Sequence, residues 1–408
     1  MPKIIIFIAY CYSLQIAYAQ KHDYNWIVGS KTSTSLINFN QSPPEISIWD
    51  DDILFIPVFV PPTTFSDSSG ALLYYIDLRT IRNKNDLFID GSDSLIRKSV
   101  IGGAGCLALP YPGRPNHSCL IRTMTDQVSV NNNVTNDVYM SVIDHTKNNG
   151  LGSIVLANKF LMSGKIHPIR ACKHANGRDW WIIATDLNYT IFYTFLLDPS
   201  GISGPFTQEV VPGLYFPNGT TDFSPALSPD GTIFVRYQNL ELARYEFDRC
   251  SGQFSYISSM NIAITAPDIW PIYLFTAVFS PDSRFLYLAS GKNLYSCDLE
   301  LWPNTLEPVV LAGNVSPDQP SPSIDLSIAR LGLAPNGKIY AVSGGDNVFF
   351  HEINRPNQPS FACDFRYKAL DLLTSETYYP PIYPNYRLGK LIGSTCDTLA
   401  IHSPISDH

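Results

Sequence analysis

Charge is scarce in this 408-residue chain. Asp, Glu, Lys and Arg make up 16% of it, and 28 basic side chains against 36 acidic ones leave a formal net charge of −8. No basic stripe is present to release phosphate counterions, which argues against a nucleic-acid partner. No Cys-x-x-Cys occurs, which argues against a zinc ribbon. Past the first twenty residues no apolar run approaches the roughly 20 residues that cross a bilayer. No apolar helical period lasts beyond a few turns. The Ser-x-Asp-x-Gly-x-Thr-Trp box of sialidases and the Gly-x-Ser-x-Gly elbow of serine hydrolases are both missing.

The N-terminus has the grammar of an export leader. Lys3 supplies a positive start, Ile4 to Ile16 an apolar stretch too short for a membrane anchor, and Ala17-Tyr18-Ala19 the small residues a signal peptidase reads. Residues 1–19 are expected to be a signal peptide cleaved after Ala19. Tyr10, before Cys11, is too large for a lipoprotein site. The mature chain is therefore expected to be secreted or to sit at the cell surface or in the periplasm, and not to be transmembrane.

The rest of the composition favours strands: 23 tyrosines and 22 phenylalanines, with 31 prolines and 25 glycines to punctuate turns. Four Pro-Asp-Gly or Asn-Gly turns, each between two hydrophobic strands, place Gly177, Gly231, Ser283 and Gly337 at spacings of 54, 52 and 54 residues. An all-strand repeat near that length marks a β-propeller blade. Weaker copies lie at Pro112-Gly113-Arg114 and Ser69-Gly70. The ends supply a seventh unit. Pro380 to Leu388 reads as an inner strand without followers, and Asn25 to Phe39 as a hairpin without an inner strand. The expected fold is all-β: a seven-bladed β-propeller, six or eight blades being the alternatives, closed by N- and C-terminal strands sharing one blade. Residues 20–396 form one domain in this reading, and 397–408 a C-terminal tail.

Certain stretches resemble a known family. The run His174-Ala175-Asn176-Gly177-Arg178-Asp179-Trp180-Trp181-Ile182-Ile183-Ala184 is similar to the K-H-x-N-G-R-D-Y/W-W-x-I-A stretch of exported WD-repeat/YVTN-like propellers from Bacteroidetes-type bacteria. Val142-Ile143-Asp144 with Asn148 to Gly152, and Phe279-Ser280-Pro281-Asp282 with Leu286-Tyr287, resemble two further motifs of that family. Its propellers often precede a C-terminal sorting domain of the type IX secretion or gliding-motility-associated kind; this chain runs only to His408. The resemblance implies a propeller fold and an exported location, and brings no catalytic residues.

Candidate chemistry is sparse. Cys172 and His174, with His167 nearby, have the spacing of a ligand pair on one strand but no third or fourth ligand placed by sequence; strand and turn residues are the competing reading. The acidic runs Asp50-Asp51-Asp52 and Asp86 to Asp93 lack regular calcium-loop spacing. Arg178 and Asp179 read as a turn brace. Of the seven cysteines after the leader, Cys106 and Cys119 fall on neighbouring strands and are the candidate disulfide, with buried free thiols as the alternative. Six Asn-x-Ser/Thr sequons, at Asn40, Asn116, Asn133, Asn188, Asn218 and Asn314, carry no argument in a bacterial setting. Asp268, Trp270 and Tyr273, in an aromatic insertion, are the candidate ligand contacts, with packing between blades as the competing reading. No cofactor or metal is expected. The functional expectation is a binding module for a protein or glycan partner at the cell surface. Its alternative is a propeller-scaffold hydrolase or lyase acting on extracellular polysaccharide.

Overall fold

Seven small antiparallel sheets stand around a common axis and make a seven-bladed β-propeller. The computed structural model describes residues 20–397 apart from 31–32, 50–62, 77–79, 96–104, 126–135, 211–224, 239–240, 263–274, 291–292, 304–305, 311–327, 344–347 and 374–379. Blades three to seven are four-stranded, with inner strands Cys106–Pro110, Arg170–Lys173, Ala226–Leu227, Phe275–Phe279 and Ile328–Leu333. Blade two, starting at Thr63–Ser66, has three described strands. So has blade one, built from Asn25–Ser30, Ser33–Asn38 and Glu45–Trp49.

The burial pattern explains the run of apolar residues. Each blade packs both faces against its neighbours, so a strand deep in the ring has no solvent side. Trp180–Thr185, Asn293–Asp298 and Ile339–Ser343 are buried at every position. At the rim that constraint lapses, and the outer strand Gly201–Glu209 is mostly exposed. Between blades four and five, for example, Trp181, Ile183 and Phe192 meet Phe234, Tyr245 and Phe254.

The repeat read from the turns is the one the chain uses. In all six blades with a turn after the inner strand, the expected residue adopts left-handed backbone: Gly70, Gly113, Gly177, Gly231, Ser283 and Gly337, with φ between 64° and 94°. Ser283 fills the glycine position at φ 64°. Its hydroxyl accepts a hydrogen bond from the Asp230 amide, 3.1 Å away in the neighbouring blade's turn.

The closure differs in form from the expectation. Residues 380–388 do meet the N-terminal sheet, and the rings of Tyr383 and Trp26 lie 6.5 Å apart. The segment contributes no strand, however, and the described strands of blade one are all N-terminal. Pro380, Pro381 and Pro384 have no N–H to donate to a ladder. The tail instead crosses the channel. Pro380 passes so close to Gly332 that a Cβ there would stand 2.8 Å from it. The Thr64 amide donates to the Tyr383 hydroxyl (3.1 Å), Tyr386 donates to the Ala108 carbonyl (2.6 Å), and Asn385 donates to the Pro229 carbonyl (2.9 Å). Arg387 grips Asp23 through two bonds of 2.6 and 2.9 Å, joining the chain's two ends.

The candidate disulfide is corrected. Cys106 and Cys119 do lie on adjacent strands, but the register sets Cys106 opposite Arg122 and Cys119 opposite Leu109. Three positions of offset is about 10 Å along a strand, beyond the reach of a disulfide. The two do not bond to each other, and Cys119 is a buried thiol. The bond that forms is Cys250–Cys396, which fastens the tail to a turn of blade five.

Candidate functional site

Because the strands alternate in direction, each blade presents its turns at two mouths of the channel. The turn after the inner strand and the turn after the third strand share one mouth, here called the turn mouth. The hairpin after the second strand and the connection into the next inner strand share the other, the loop mouth.

The turn mouth is occupied by the protein itself. Arg249, 2% exposed, donates to the carbonyls of Lys173 (2.9 Å), Asp230 (3.2 Å) and His174 (3.3 Å) and, at 2.6 Å, to that of Gly389 in the tail. Leu391 N–H donates to the Ala175 carbonyl (2.8 Å). Tyr386 is fully buried among Phe65, Trp180 and His22. Lys173 lies over the Trp180 ring at 4.4 Å, and burial lowers its pKa to about 8.

At the same mouth His145 Nε2 lies 3.0 Å from the Ser118 hydroxyl, which also meets the Tyr74 hydroxyl at 3.1 Å. That pairing has the outline of a nucleophile and its base. Ser118 is fully buried, however, and burial pulls the His145 pKa down to about 4. The set is a polar seam between blades two and three.

The loop mouth of blades four and five holds a different cluster. Asp186 accepts three hydrogen bonds, from the Thr190 amide (2.7 Å), the Thr190 hydroxyl (2.7 Å) and the Ile191 amide (2.8 Å), and so ties a tight hairpin. Inside it Tyr189 takes left-handed backbone, φ 54°, costly for a residue with a Cβ. Its ring is buried and stacks on His167 at 4.2 Å. His167 is 2% exposed, and burial lowers its pKa to about 4; its Nε2 lies 3.2 Å from the Leu187 carbonyl. Neutral, it donates there and keeps Nδ1 as an acceptor.

From blade five, Arg236, in the second strand Ile233–Gln238, carries a guanidinium that is 0% exposed and lies 5.4 Å from the Tyr189 ring centroid. Its Nε donates to the Tyr245 hydroxyl (2.9 Å), and its Nη2 stands 3.7 Å from Glu241. Arg170 opens the inner strand of blade four nearby and donates to the Pro225 carbonyl (2.8 Å).

The residues singled out from sequence fare differently. His167 and His174 stand at opposite ends of the inner strand Arg170–Lys173 and cannot share an ion. His174 Nδ1 accepts from the Asn176 amide, and Cys172 is buried in the core between blades four and five. No cluster with metal-ligand geometry occurs among the described residues. Asp86 is engaged by Arg82 and Tyr75. Arg178 and Asp179 do brace their turn, through bonds of 2.7 and 3.0 Å. Asp268, Trp270 and Tyr273 lie outside the described residues. The Tyr189–Arg236 cluster went unread because its members come from separate repeats. The one available signal was an arginine in a strand otherwise built for the core.

No protein-family profile and no curated sequence matches the chain. Similar solved structures include a Lactobacillus plantarum protein (11% identity, TM-score 0.48, covering 88% of this chain and 98% of that one). A periplasmic gluconolactonase of Pseudomonas aeruginosa aligns at 11% identity and TM-score 0.44, over 87% and 97%. The β-propeller domain of Cps50 from Myceliophteria thermophila aligns at 9% and 0.41, over 79% and 93%. Likenesses of this size carry nothing about activity; the fold stands on the seven sheets.

Proposed function

We propose that this protein is an exported propeller that works as a binding module, taking its ligand at the loop mouth. The observation that carries the reading is the tail. It fills the turn mouth, holds it with Tyr386, Arg387 and the Cys250–Cys396 bond, and leaves the opposite end of the ring as the face for recognition. Loops on a rigid scaffold are where propellers place binding residues. The leader-like first 19 residues and the resemblance to exported Bacteroidetes-type propellers support export to the envelope or exterior, where the partner is a surface protein or glycan.

The test is a glycan-array and pull-down screen of residues 20–408 against envelope components. Binding lost on Trp270→Ala but kept when the turn-mouth residue Lys390 is changed to Glu supports the reading. Binding that follows Lys390, or turnover of a polysaccharide by the mature chain, refutes it.

A further inference from the structure

Among the described residues, five buried side-chain polar atoms without a hydrogen-bond partner lie at one place. Arg236 Nη1 and Nη2, the Tyr189 hydroxyl, His167 Nδ1 and Thr185 Oγ1 all belong to the loop mouth of blades four and five. His167 and Thr185 are bridged by an amide–carbonyl bond of 2.9 Å, and Arg236 and His167 both flank Tyr189. Native folds pair nearly all such atoms, so a concentration of them asks for a partner from outside the fold.

We propose that this cluster receives the carboxylate of an acidic ligand, with Arg236 as its anchor and Tyr189 as a second donor. Arginine cannot shed its proton, so its buried charge needs an anion. Glu241 supplies little of that need: at 3.7 Å it is too far for a hydrogen bond, and its side chain remains 21% exposed. Two parallel Nη donors match a carboxylate's two oxygens, and a planar fork binds that shape better than a point charge does. Tyr189 adds a hydroxyl donor held in place by a left-handed backbone, the kind of local strain that persists where a side chain must be positioned.

The acceptor at His167 Nδ1 refines the class. A hydroxyl beside the carboxylate, as in a sugar acid, satisfies it where a simple carboxylate does not. This inference rests on the binding-module reading for its use of the loop mouth.

Calorimetric titration of residues 20–408 with glucuronate, acetate, glucose and chloride tests it. Glucuronate is expected to bind, acetate more weakly, and glucose and chloride not at all. Arg236→Lys keeps the charge, loses the fork and weakens glucuronate about tenfold. Tyr189→Phe weakens it several-fold at an unchanged unfolding temperature, which keeps the test independent of folding. Glu241→Gln removes the competing anion and tightens binding.

Chloride binding as well as acetate overturns the carboxylate assignment, and so do Arg236→Lys and Tyr189→Phe titrating like the native chain. A neutral glycan or protein ligand indifferent to all three substitutions sinks this inference and leaves the binding module standing. No ligand of any kind removes both.

Discussion

Replacing Tyr386 by alanine probes the closure of the ring directly. The side chain is fully buried in the core shared by blades two to four, and its hydroxyl donates to the Ala108 carbonyl at 2.6 Å. Deleting a buried aromatic ring costs about 3–5 kcal/mol. Stranding the Ala108 carbonyl adds about 1 kcal/mol. Unfolding entropy of about 2.1 cal/mol/K per residue then converts the sum, for a domain of this length, to a fall in Tm of about 5 °C. Tyr386→Phe loses only the hydrogen bond and should fall by about 1 °C on the same scale. Scanning calorimetry gives both numbers. Limited proteolysis with mass spectrometry shows whether residues 380–397 have become cleavable. If Tyr386→Ala melts within a degree of the native chain and its tail stays resistant, the tail is not part of the cooperative core and the channel closure described above is wrong.

Cleaving the Cys250–Cys396 bond, which spans 146 residues, should lower stability by about 5 kcal/mol if denatured-chain entropy governs, read as a shift of urea midpoint between oxidised protein and Cys396→Ser. Acid should destabilise the protein through His167 and His351. Both are buried with pKa values lowered to about 4, and His351 Nδ1 accepts from the Lys368 amide. Against an unfolded value near 6.5, the stability they contribute is full above that pH and is lost as pH falls towards 4, about 2 kcal/mol each between pH 7 and 5. Urea titrations at the two pH values measure it, and His351→Gln should remove its share of the slope. Gly177→Ala and Gly337→Ala form a matched pair at φ 74° and 78°. A Cβ at 177 would stand 2.5 Å from the Lys390 nitrogen, whereas one at 337 meets nothing nearer than 3.9 Å. Gly337→Ala should therefore cost about 1–2 kcal/mol for backbone alone, and Gly177→Ala clearly more; equal costs would mean that the tail does not press on blade four.

What could be read from the chain was local. A left-handed turn needs glycine or a tolerant stand-in, so Gly177, Gly231, Ser283 and Gly337 announce their blades whatever surrounds them. The seventh blade was inferred from fragments at the two ends, and the ends do meet, through Asp23 and Arg387. The form of that meeting was misread because Pro380 to Leu388 has the apolar content of an inner strand; its three prolines are what forbid the ladder. The disulfide was misassigned for a related reason. Neighbouring strands put Cys106 and Cys119 close in sequence, but register decides reach, and register follows from side-chain packing that spacing does not record. Cys250 and Cys396 meet only because the tail crosses the channel.

The same distinction separates the two mouths. At the turn mouth every short turn repeats, so the tail can exploit regularity, threading past Gly177, Gly231 and Gly332, where close approach is sterically allowed. At the loop mouth the repeats diverge, and a buried arginine in one blade's second strand can face a strained tyrosine in the neighbouring blade's hairpin without either appearing in a shared motif. Recognition chemistry built this way is invisible to repeat spacing by construction, because it resides in what one blade has and the others lack. The position of Arg236 in its own repeat makes the point: the register-matched residues of blades four, six and seven are Ile182, Leu288 and Ala341, all buried and apolar, and blade three buries an arginine, Arg122, two positions further along its own second strand. A side chain that breaks its repeat, buried where its counterparts are apolar, is the kind of residue that fold alone does not require.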